Sequence, residues 1–153
     1  MTADGKITVL LVEDDANVRT AVRIGLERLG FAVETANNGY QALAKLLVHG
    51  DGVHDDAPAV QAAINGTRTE DFTLTKCDAD VIMLDLLMPV MDGYTFLDQY
   101  PGPVPVIVMS GLGDVAMLPR QPFALVAKPM SVVEIAETLR EAAASWRAQG
   151  DPK

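Results

Sequence analysis

Four places in the chain carry side chains suited to work at phosphorus, and each closes or directly follows a short apolar run. Ile7 to Val12 (ITVLLV) leads into Glu13-Asp14-Asp15, Val81 to Leu84 into Asp85, Val104 to Met109 into Ser110, and Phe123 to Ala127 into Lys128-Pro129. Crowded carboxylates repel one another and call for a hard cation, and Mg²⁺ takes few protein carboxylates while keeping waters and substrate oxygens. Lys128 offers a point charge to a carboxylate or a phosphoryl oxygen, and Ser110 a hydrogen-bond donor to that oxygen. The set holds no His and no Cys, which argues against zinc and against thiol or Ser-His-Asp hydrolysis. A Ser nucleophile needs an adjacent base, and none is visible. A carboxylate is already ionised at neutral pH. Attack of Asp85 on phosphorus, with Mg²⁺ and Lys128 offsetting the negative charge, is the coherent mechanism.

These residues form one site only if the runs are neighbouring strands with their carboxyl ends on a common side. The four runs are too short for helices and too apolar for surface strands, as expected of strands covered on both faces. Phe31 to Thr35 is a further strand. Helical patterns separate them. Val18, Val22, Leu26 and Leu29 form an apolar stripe capped by Asp15 and closed by Gly30; Asn38 to about Val48 reads as a second helix. A short helix near Tyr94 to Gln99 is cut off by Pro101-Gly102-Pro103, and little room for another remains beyond Asp114 to Leu118. In the last helix, Ser131 to Gln149, Ser131 and Glu134 make a capping box, and Val132, Ile135, Leu139 and Trp146 line one stripe. Trp146 is most simply the end of that stripe. Strands alternating with helices predict an α/β three-layer sandwich with a parallel sheet, whose ligands bind beyond the carboxyl ends of the strands.

Composition narrows the function. The chain's 153 residues suit one domain on the usual prior of about 100–200. Apolar residues at 49% and charged residues at 22% are those of a folded chain. With 12 basic residues against 21 acidic ones, the net charge of −9 argues against a direct grip on nucleic acid and against anionic membrane surfaces. Cys77 alone cannot form an internal disulfide. Met1 to Lys6 lacks the apolar stretch of a secretory signal, and no run approaches the ~20 residues that span a bilayer. The expectation is a single cytoplasmic domain over residues 1–153. One stretch breaks the alternation: residues from about 50 to 79 form an acidic insertion where a connection of about 2–6 residues is usual. Ala57 to Ile64 within it has the marks of a short helix. His49, His54, Asp51, Asp55 and Asp56 match no compact ligand pattern and read as a solvated acidic loop.

VLLVEDDANVR (Val9 to Arg19), VIMLDLLMPVMDGYTFL (Val81 to Leu97), VPVIVMSG (Val104 to Gly111) and VAKPM (Val126 to Met130) resemble the CheY-like receiver domain of two-component response regulators. The resemblance covers most of the chain outside the insertion. It implies a flavodoxin-like fold with a five-stranded parallel sheet of order 2-1-3-4-5. It implies Asp85 as phosphoacceptor, and Glu13 and Asp14 as the acidic pair holding Mg²⁺ together with Asp85 and the backbone carbonyl of Leu87. Ser110 matches the switch hydroxyl and Lys128 the site lysine, with a cis Lys128–Pro129 bond. The implied partners are a histidine kinase or phosphotransfer protein upstream and a protein target downstream. Such a receiver assists its own phosphorylation and dephosphorylation without being a conventional enzyme. The family's aromatic residue three positions before the lysine is here Leu125, with Phe123 on the same face of the strand. That departure suits the alternative, a degenerate receiver acting as a phosphorylation-independent binding or scaffold module. A Mg²⁺-dependent phosphohydrolase with an Asp nucleophile is disfavoured, because such enzymes place a second Asp where this chain has Leu87. Leu87 and Leu112 cannot orient an attacking water, so a long-lived acyl phosphate is expected.

Overall fold

Apolar runs without polar interruption become strands covered on both faces. A computed structural model describes residues 5–47, 78–86, 93–100, 104–110, 118, 121–128 and 131–148. In it β1 (Thr8–Val12) and β3 (Val81–Asp85) are buried throughout, and β4 (Val106–Ser110) is buried up to its last residue. With β2 (Ala32–Ala36) and β5 (Ala124–Ala127) at the edges they form a five-stranded sheet of order β2-β1-β3-β4-β5, parallel at every pairing. The flavodoxin-like order is the one expected, and the strand ends meet as required. Asp85 pairs in register with Met109, and Ser110 with Ala127.

Alternation along the strands divides the core in two. Leu10, Val12, Ile82, Leu84 and Val108 pack with Leu43 of α2 (Gly39–Leu47) and Phe96 of α3 (Gly93–Gln99). On the other face Val9, Leu11, Met83, Ile107 and Met109 pack with Leu26 of α1 (Ala16–Arg28) and Leu139 of α4 (Val132–Ala148). Each fully buried aliphatic side chain contributes about 1.5–3 kcal/mol of transfer free energy. Gly25 lets α1 lie close to α4, since a Cβ there would be 3.1 Å from Val132 Cγ1.

The helix ends follow local chemistry. Asp15 Oδ1 accepts from the N–H groups of Asn17 and Val18 at 2.9 and 3.2 Å and starts α1. Gly30, at φ +97°, ends it: its N–H reaches Glu27 O and that of Phe31 reaches Leu26 O, a Schellman closure. Phe31 is therefore buried as part of the helix stop, and β2 begins one residue later than the apolar pattern suggests. At α2, Asn38 Oδ1 accepts from Gln41 N–H and Gln41 Oε1 from Asn37 N–H, both at 2.9 Å. β4 begins at Val106, since Pro105 has no N–H to give; its carbonyl still accepts from Ile82 N–H at 2.9 Å.

Other expectations need correction. Only Val22 and Leu26 of the α1 stripe are buried, while Val18 and Leu29 are 37% and 38% exposed. Trp146, as expected, ends the α4 stripe, half-buried. Phe123 and Leu125 are 43% and 49% exposed along β5. The helices read at Ala57 to Ile64 and Asp114 to Leu118, and all of the insertion before Asp78, lie outside the described residues, Leu118 alone excepted.

At the amino rim of the sheet, buried Asp80 ties three elements. It accepts from Thr8 N–H at 2.9 Å and pairs with Arg147 of α4 at 3.0 Å, while Asp80 N–H donates to Thr8 O at 2.8 Å. Arg147 also donates to Lys6 O. No helix among the described residues is long and apolar enough to cross a membrane.

Candidate functional site: an acidic pocket at the carboxyl rim

Glu13 follows β1 directly, and its N–H extends the ladder to Ala36 O at 3.0 Å. This fixes its backbone, and the side chain is 2% exposed. Asp14 is exposed beside it, while Asp15 is committed to the start of α1. Asp85, the last residue of β3, is buried. Lys128 follows β5, and its N–H donates to Ser110 O at 3.0 Å, so the backbones of the lysine and the hydroxyl residue are joined. Lys128 Nζ lies 3.1 Å from Asp85 Oδ1 and 3.4 Å from Glu13 Oε1. The ammonium thus bridges carboxylates from two other strands. Ser110 closes β4 at the same rim, half-buried.

The three carboxylates can each bring an oxygen within 4.8 Å of the others. Against three potential negative charges the site sets one ammonium in contact. Burial, and next the neighbouring Asp85 carboxylate, push the Glu13 carboxyl up to about 8, with Lys128 pulling only partly the other way. For Lys128, burial disfavours the ammonium, but the hydrogen bond and charge of Asp85, followed by those of Glu13, outweigh it and hold its pKa above the ordinary value. Glu13 Oε2 is buried without a hydrogen-bond donor. A buried carboxylate oxygen lacking a donor, within a surplus of carboxylates, fits a hard divalent cation, which Glu13, Asp14 and Asp85 could hold. The Leu87 carbonyl, the Pro129 bond and Leu112 lie outside the described residues.

Sequence reasoning missed two positions. Arg19, quoted only as the end of a motif, turns back and donates from Nη1 to Glu13 O at 2.8 Å and Asp14 O at 3.3 Å. Its targets are backbone atoms, which leave no mark in residue types. Gly93, quoted only as part of a longer match, lies against the site strand: a Cβ there would be 2.6 Å from Asp85 O and 2.7 Å from Leu86 Cα. The Asp-Gly pair before a helix was the available signal.

No family model matches the chain. Among curated proteins it is similar to a probable transcriptional regulator, ycf27, of Guillardia theta, 30% identical over 113 residues that make up 72% of this chain and 34% of that protein. It is 35% identical over 106 residues to a protein-glutamate methylesterase/protein-glutamine glutaminase of Anaeromyxobacter dehalogenans, covering 68% of this chain and 22% of the relative. The chain therefore spans about a third or less of these relatives' lengths. A crystal structure of a CheY-like response regulator receiver domain protein from Methanospirillum hungatei superposes with a TM-score of 0.67, at 17% identity, over 95% of this chain and all of that one. With that fold, those sequence likenesses, and the acids and lysine gathered at one rim, the chain is a response regulator receiver domain of the CheY-like kind.

Proposed function

We propose that this receiver is a phosphoacceptor of a two-component phosphorelay, with Asp85 as the acceptor. A carboxylate oxygen of Asp85 attacks the phosphorus of a phosphohistidine; the P–N bond breaks and its electron pair leaves with the imidazole. Glu13, Asp14 and Asp85, with the Leu87 carbonyl, would hold Mg²⁺, which when bound would supply positive charge against the phosphoryl oxygens. Lys128 orients the acceptor carboxylate and then pairs with the transferred group. Ser110 donates a hydrogen bond to a phosphoryl oxygen and reports the modification along β4. The donor is a histidine kinase or phosphotransfer protein, and the output is contact with another protein. No direct nucleic-acid or membrane contact is part of the proposal, and its setting is cytoplasmic. The domain assists its own phosphorylation and dephosphorylation and turns over no separate substrate.

The observation that carries this proposal is the Lys128 bridge, 3.1 Å to Asp85 and 3.4 Å to Glu13. Addition of acetyl phosphate, or of beryllofluoride, with Mg²⁺ is expected to change the mass or the NMR spectrum of wild type and not of Asp85→Asn. A wild type that does not respond would instead support a phosphorylation-independent binding module, for which the exposure of Leu125 in place of a packed ring speaks.

A further inference from the structure

The two acids of the β1–α1 turn are held very differently. Glu13 is buried, fixed by its ladder bond to Ala36 and paired with Lys128. Asp14 is exposed, and among the described residues no hydrogen bond or ion pair holds its carboxylate. The peptide planes on either side of it therefore fix where its Cβ sits and which rotamers can reach the pocket. Those planes are gripped by Arg19, whose Nη1 donates to the carbonyls of both Glu13 and Asp14. Arg19 sits in the first turn of α1, where its own N–H donates to Asp15 O at 2.8 Å. Among the described residues Arg23, Lys45, Lys128 and Arg147 each pair with a carboxylate, whereas the half-buried Arg19 spends its guanidinium on these two successive carbonyls.

We infer that Arg19 is a positioning residue of the acidic pocket, clamping the Glu13–Asp14 turn so that the Asp14 carboxylate is aimed at the cation. Both bonds come from the one nitrogen Nη1, whose two N–H directions are fixed by the guanidinium plane, whereas an ammonium on its flexible stem has no such fixed directions. The inference rests on the acidic cluster being a cation site. Groups that orient metal ligands typically change affinity about 10–100-fold when removed.

Mn²⁺ binding to the full chain, followed by the EPR signal of free ion, separates the possibilities. Arg19→Gln is expected to weaken Mn²⁺ binding at least about tenfold, with Arg19→Lys between it and wild type. Arg23→Gln removes the same charge from the same helix, where the arginine pairs with Glu27 instead of the turn. It is expected to stay within about twofold of wild type. Circular dichroism and urea unfolding of the cation-free proteins establish that each variant is folded, and if Arg19→Gln is not, Arg19→Lys decides. Equal affinities in wild type and the Arg19 variants, or an equal loss in Arg23→Gln, would overturn the clamp alone. A folded wild type that binds no Mn²⁺ would overturn the cation site and the clamp with it.

Discussion

Gly93→Ala tests whether the start of α3 and the acceptor strand share a contact with no room to spare. The added Cβ would meet Asp85 O at 2.6 Å, Leu86 Cα at 2.7 Å and Leu86 Cδ2 at 3.0 Å. Comfortable carbon contacts begin at about 3.5 Å, so backbone on one side must retreat by ~1 Å. The Gly93 N–H bond to Leu86 O, now 2.9 Å, must stretch with it. Overpacking of this kind costs about 1–3 kcal/mol. The opposing gain is the better helix propensity of Ala, at most about 1 kcal/mol and less at a first helical residue. The clash wins, leaving a net loss of about 1–2 kcal/mol. Urea unfolding followed by circular dichroism measures it, and the NMR shifts of Asp85 and Lys128 show whether the displacement reaches the pocket. A variant as stable as wild type, with those resonances unmoved, would refute the tight contact.

Other expectations concern charge and lifetime. Asp80→Ala strands half-exposed Arg147 and buried Thr8 N–H and is expected to cost about 2–4 kcal/mol in urea unfolding, while leaving phosphorylation of the folded protein unchanged. Glu13 holds its proton up to about 8 in the cation-free fold against 4.5 ordinarily, so the folded state binds more protons than the unfolded one between those values. Its contribution to stability is complete below pH 4.5 and is lost as pH rises toward 8, at a slope of at most about 1.4 kcal/mol per pH unit. Glu13→Gln is expected to remove that slope; a difference between the two proteins that stays constant from pH 5 to 8 would contradict it. Polar replacements at Leu87 and Leu112 are expected to speed loss of ³²P from the phosphoprotein, and slower or equal decay would show that water access is limited elsewhere.

The sheet was legible because burial on both faces demands uninterrupted apolar runs, and the functional residues because they interrupt those runs at one end. Val81 to Asp85 was read to the residue for this reason. Boundaries failed where an apolar residue is buried by other means. Phe31 serves the α1 stop, and Val104-Pro105 precedes the ladder because proline cannot donate to it. Val18 was misplaced for the opposite reason: it follows the helical period but lies in the first turn, beyond the reach of the core that buries Val22 and Leu26. The pocket's carboxylates, lysine and hydroxyl announce themselves by type. Arg19 and Gly93 do not, since one acts on carbonyls and the other by having no side chain.

Arg147 gives α4 a fulcrum. The helix starts near Lys128 and ends at the opposite rim, where its guanidinium is fastened to Asp80 and Lys6. A rod of 17 residues is about 25 Å long, so swinging it by only ~2° about the fastened end sweeps the other end through roughly 1 Å. Ile135, Leu139 and Ala142 seat the rest of the rod in the core, so any such swing would also have to be taken up by the packing against α1 and the sheet.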